Sequence, residues 1–162
     1  MKQTLSLMAF LLAPGIALAA GTHAGGHGHD DGHGMMMGEA AHHAPSRTVK
    51  VIMREDQNGE NYYVFNQKEL RFAAGETVRL HIVIEGEEVH EFVMDTKEAN
   101  EKHKALMAKF PEMEHDDPNS IRLEPGQEGE ILWTFGKPGT FEFACLLPGH
   151  YEGGMHGDLI IE

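Results

Sequence analysis

The stretch TFEFACLLPGHYEGGMHGDLIIE, residues 140–162, decides how this chain is read. Its opening alternates, so Phe141, Phe143 and Cys145 share one face of a strand and carry the thiol towards a core. Pro148 and Gly149 turn the chain to present His150, and Gly153 and Gly154 turn it again to present Met155. GDLIIE then returns as another strand. A short, glycine-hinged loop thus brings a thiol, an imidazole and a thioether back to one point.

Cys145 is the single cysteine of the chain. The first residues, MKQTLSLMAFLLAPGIALAA, combine Lys2, an apolar run and the small residues Ala17 and Ala19, the pattern of a secretory signal cleaved after about Ala19. A membrane anchor is the competing reading. The apolar run is short for that role and is broken by Pro14 and Gly15. No later segment is long and apolar enough to span a bilayer. The signal makes the periplasm the expected location, and the expected form is a monomer. Thiols oxidise there, and one cysteine cannot close an internal disulfide. Cys145 is therefore inert and buried, paired with another chain, or bound to something.

The chain carries 26 acidic against 13 basic residues, for a formal charge of −13. Loss of Lys2 takes the mature chain to about −14, which disfavours nucleic acid and anionic membranes and suits cations or basic proteins.

From Gly21 to about Pro45 the composition shifts to Gly, His, Met and Ala. Without apolar periodicity, residues 20–46 are expected to be a disordered tail. The tail holds His23, His27, His29, His33, His42 and His43, the acidic pair Asp30 and Asp31, and the triplet Met35, Met36 and Met37. Imidazole suits Cu(II), zinc and nickel, whereas thioether favours Cu(I), so the mixture points to copper. The alternative is a linker whose histidines bind metal nonspecifically.

Residues 47–162 have the size of one domain. Strands are expected at 48–53, 62–65, 76–84, 89–94, 129–135, 140–145 and 157–162, separated by Gly, Pro and Asn turns, as in an all-β Greek-key sandwich or barrel. One helical insertion interrupts them. In DTKEANEKHKALMAKF, Asp95 is placed to cap a helix with Glu98 three residues on, and Ala99, His103, Leu106, Met107 and Phe110 share a face. His103 reads as a half-buried histidine rather than a ligand. The loop after the helix, with Met113, His115, Asp116 and Asp117, reads as a solvated acidic loop, with weak metal binding as the alternative.

In VHEFVM, His90, Phe92 and Met94 share the core-facing side. A histidine inside a sandwich satisfies its ring nitrogens with hydrogen bonds or gives one to a metal. One thiolate and two imidazoles with a long axial thioether make up a type 1 copper set; structural zinc sites rarely use methionine.

The segments GETVRLHIVIEGEEVHEFVMD and EPGQEGEILWTFGKPGTFEFACLLPGHYEGGMHGDLIIE resemble the cupredoxins, the small blue copper proteins. The C-x4-H-x4-M spacing is similar to that of the rusticyanin and auracyanin branch, and the His/Met-rich leader resembles that of periplasmic CopI-type copper-tolerance proteins. The resemblance implies one copper held by His90, Cys145 and His150 in the equatorial positions and Met155 in the axial one. Two departures stand out. Glu91 follows the first ligand histidine where Asn, Asp or Ser is common, and His156 adjoins Met155. His156 is expected at a solvent-facing edge.

Multicopper oxidases and copper nitrite reductases place histidines beside the type 1 cysteine, but Cys145 lies between Ala144 and Leu146, so a stand-alone enzyme is not expected. Two functions remain. One is copper tolerance, binding copper and sequestering it or handing it to a transporter or oxidase. The other is a carrier that shuttles one electron between redox proteins. The His/Met leader, which electron transfer does not need, favours the first.

Overall fold

In the computed structural model, residues 34–113 and 117–162 are described. In chain order they form α1 (Gly34–Met37), β1 (Gly38–Ala40), β2 (Arg47–Glu55), β3 (Tyr63–Phe65), β4 (Glu69–Phe72), β5 (Thr77–Ile84) and β6 (His90–Asp95). Then follow α2 (Lys97–Met107), β7 (Ser120–Leu123), β8 (Glu128–Phe135), β9 (Gly139–Ala144) and β10 (His156–Ile161). Two five-stranded sheets result, in the orders β1-β8-β5-β2-β3 and β4-β10-β9-β6-β7. The pairs β2–β5 and β4–β10 are parallel and the others antiparallel. The all-β sandwich with one inserted helix is the architecture expected from the sequence.

Period-two patterning explains the first sheet. Along β5, Val78, Leu80, Ile82 and Ile84 are buried while Thr77, Arg79, His81 and Val83 are partly exposed. β8 contributes Ile131, Trp133 and Phe135 to the same core. In the second sheet, β6 and the last four residues of β9 are buried on both faces. There α2 packs over the outer face, and Glu142, an outward residue of β9, is enclosed by it.

The helix differs from expectation in two respects. Its cap is Thr96, whose hydroxyl accepts the Ala99 N–H at 3.2 Å, while Asp95 accepts the N–H of Thr96 instead. Its buried residues are Asn100 and Met107, whereas Leu106 and Phe110 are exposed. The reason is polar: the Asn100 amide donates to Glu142 at 3.1 Å, which turns that side of the helix inward.

Three strands escaped the sequence reading. β4 and β7 are four-residue edge strands with charged side chains, a pattern too short to show alternation. The third, β1, lies in the segment read as disordered tail, so the folded unit begins well before residue 47. Met37 is buried, its carbonyl accepts from the Trp133 indole at 3.4 Å, and Gly38–Ala40 pair with Trp133–Phe135. The expected signal and most of the tail's metal-binding side chains lie outside the described residues.

The sandwich has two distinct poles. β5 runs from Thr77 to Ile84 and leads to His90; β9 runs from Gly139 to Ala144 and leads to Cys145. His90, Cys145 and His156 thus gather at one pole. Thr77, Phe135 and Ile161 gather at the other, where Gly75 donates to the Phe135 carbonyl and Ala74 to that of Glu162. Because β1 pairs with the Phe135 end of β8, the N-terminal segment is fastened at the pole opposite Cys145.

Candidate metal centre

Three strand ends and one loop build the site. His90 opens β6 with its side chain fully buried, and Cys145 follows the last residue of β9. The loop to β10 is closed at its base by Cys145 N–H donating to the Met155 carbonyl at 3.0 Å, and inside by Met155 N–H donating to His150 at 3.0 Å. Gly149 and Gly154 hold φ of 86° and 100°, the left-handed turns that let so short a segment double back twice. His150 is nearly buried, and its ring stacks on Tyr63 with centroids 3.9 Å apart.

His90 Nδ1 and His150 Nδ1 lie 3.1 Å apart, and His150 Nδ1 is 3.4 Å from Cys145 Sγ. The donor atoms of these three residues all fall within 4.8 Å of one another. Among the described residues this is the one group of three or more His, Cys, Asp or Glu side chains so arranged. Met155, the fourth residue implied by the resemblance, is fully buried at the end of the same loop.

The donor set fits a soft cation. Burial pushes the Cys145 thiol up to about 12, against the opposing pull of the Glu91 and Leu147 N–H groups, so a thiolate forms here only beside added positive charge. Burial, and then the neighbouring His90, push His150 down to about 4, which keeps its ring neutral with a lone pair to offer. Two facing imidazole nitrogens and a sulfur, excluded from water, are the ligand chemistry of copper.

Surrounding groups hold the donors in place. The Glu91 N–H donates to Cys145 Sγ at 3.4 Å, and its carboxyl accepts from the Leu146 N–H. Glu91 therefore tethers the ligand loop. Its Oε2 has no hydrogen-bond partner, and burial raises the carboxyl to about 7 despite the nearby Arg122. Glu55, which the sequence did not mark, accepts from His90 Nε2 at 2.8 Å. Burial alone would raise its carboxyl, but the Glu87 N–H and the His90 ring outweigh that and lower it. Nothing in the end of an exposed-looking strand, 35 residues from His90, could have singled it out.

The remaining candidates are dispersed. His156 is not a bare edge residue: it is half-buried and stacks on Tyr151, with centroids 4.5 Å apart. Glu152 pairs with Lys104 at 2.9 Å, away from the donors. His103 is half-buried on α2, and His115 and Asp116 lie outside the described residues, as do His23, His27, His29 and His33. Met37 belongs to the core, whereas Met36, His42 and His43 are exposed.

Comparison with known proteins agrees with this geometry. The profile of the family described as copper binding proteins, plastocyanin/azurin family, matches residues 49–162. The copper-resistant cuproprotein CopI of Rubrivivax gelatinosus is 40% identical over 140 residues, covering 86% of this chain and 80% of that protein. CopI of Pseudomonas aeruginosa is 32% identical over 160 residues, covering 80% and 84%. Among solved structures, auracyanin B superposes with a TM-score of 0.62 at 23% identity, covering 78% of this chain and 96% of that one, a likeness of fold. The chain belongs to the plastocyanin/azurin family of copper-binding proteins.

Proposed function

We propose that this protein is a periplasmic copper-tolerance cupredoxin. His90, Cys145, His150 and Met155 would hold one copper ion, which the protein sequesters or passes to a copper transporter or oxidase. The observation that carries the reading is the buried convergence of two imidazole nitrogens on the single thiol, in a chain similar over most of its length to copper-resistant cuproproteins. Copper supplies the Cu(I)/Cu(II) couple. The chain orients the donors, excludes water and supplies the N–H groups that hold the sulfur. Cys145 has Ala144 and Leu146 as neighbours, with no histidine to lead electrons to a second copper, which supports a binding role over a catalytic one.

One observation favours the electron-carrier reading. Beside His150 the turn residues Pro148 and Gly149 are exposed, which gives a redox partner an approach to the ring. One measurement tests the copper site and a second decides between the readings. Titration of the mature protein with Cu(II) should give one intensely coloured centre, and Cys145→Ser should abolish the colour. Deleting the gene should sensitise cells to copper. Normal growth in excess copper together with lost respiratory or photosynthetic electron flow would instead establish the carrier.

A further inference from the structure

We propose that Glu55 is a positioning residue of the copper centre: its carboxylate fixes the tautomer and rotation of His90 and biases bound copper towards Cu(II). The inference rests on the copper reading above. Glu55 ends β2, in the sheet opposite His90, and its Oε1 lies 2.8 Å from His90 Nε2. An ionised carboxylate only accepts, so Nε2 carries the ring's proton and Nδ1 presents a lone pair. Nδ1 is the atom that faces His150.

The carboxylate is itself held in place. The N–H of Glu87 donates to Oε2 at 2.8 Å and that of Glu88 to Oε1 at 3.3 Å, and only 9% of the Glu55 side chain is exposed. Gly86 makes the cradle possible, because a Cβ there would lie 2.5 Å from both carboxylate oxygens. Backbone of the β5–β6 loop thus clamps the group that clamps the ligand. A carboxylate behind an imidazole makes the ring a stronger donor and adds negative charge, and both effects stabilise the more highly charged ion.

The test compares Cu(I) and Cu(II) affinities, reduction potential and visible spectrum for the mature protein and three variants. Glu55→Gln keeps the shape but removes the charge and one acceptor oxygen. It should weaken Cu(II) binding about 10–100-fold and Cu(I) binding less. The potential should rise by about 59 mV for each tenfold difference between the two losses. Gly86→Ala keeps the charge but displaces the carboxylate, and should move the potential in the same direction. Glu88→Gln removes a carboxylate 3.9 Å from His150 Nε2 without touching the His90 ring, and should shift it less. Equal weakening of both oxidation states in Glu55→Gln, or a potential shift no larger than that of Glu88→Gln, overturns the proposal while leaving the copper site standing. A wild type that forms no coloured Cu(II) centre overturns the site reading and this inference together.

Discussion

Glu91 shows how a single side chain can serve the site at a cost to the fold. Its carboxyl tethers Leu146, yet burial leaves one oxygen unpartnered and lifts its titration to about 7 from the ordinary 4.5. The folded state therefore keeps this proton between about pH 4.5 and 7, where the unfolded chain has lost it. The group's contribution is full below that window and is lost as pH rises through 7. In the copper-free protein, Glu91→Gln should gain stability relative to wild type between pH 5 and pH 8, by up to about 3 kcal/mol, read from urea unfolding at each pH. A difference that stays flat with pH would show that the carboxyl does not titrate there. Cys145 sets a second pH dependence. Its thiol keeps its proton up to about 12 without metal, so binding must release that proton, and apparent copper affinity should rise about tenfold per pH unit from pH 6 to 9. At this scale the meeting of Cys145 and His150 was legible because one loop carries them, and the inward placement of His90 because its strand alternates. Glu55 was not, because its role depends on how two sheets stack.

Among the elements, α2 deserves to be seen as part of the ligand loop's support. Lys104 sits 4.1 Å from the centre of the Tyr151 ring and pairs with Glu152, while Tyr151 donates to Glu142 at 2.9 Å. Asn100, buried one turn earlier, holds the other oxygen of Glu142. A network of this kind is strong only when complete. Asn100→Ala should cost about 1–3 kcal/mol in chemical denaturation while leaving the visible spectrum of the copper-loaded protein in place, because no donor atom is touched. The helix itself was readable from its apolar spacing, although its cap is Thr96 and not the expected Asp95. Its orientation was not: the buried polar Asn100 decides it, and hydrophobic spacing alone had nominated Leu106 and Phe110, which face water.

For the whole molecule, the N-terminal segment has two parts with different work. Residues 20–33 carry four of the tail's histidines, whereas Met37 and β1 complete the sandwich. Two truncations separate these roles. Removing residues through 33 should lower copper stoichiometry and leave the melting temperature of the metal-free protein unchanged. Removing residues through 40 should in addition lower stability by about 2–5 kcal/mol and shift Trp133 fluorescence to the red, as burial of Met37 is lost. Composition hid this division, since a three-residue strand of Gly38, Glu39 and Ala40 behind a methionine triplet looks no different from the histidine-rich sequence before it.

The fastening of β1 at the pole away from Cys145 also bears on the kinetic order of copper handover. Strands of eight residues make the sandwich about 25 Å long, and residues 20–33 can extend at most about 50 Å. That reach exceeds the length of the sandwich, so a tail holding a metal ion near residue 23 can deliver it to the centre of its own molecule. If the tail hands copper on, filling of the coloured centre from preloaded tails should therefore proceed at a rate independent of protein concentration, a first-order signature that stopped-flow absorbance at two concentrations would reveal.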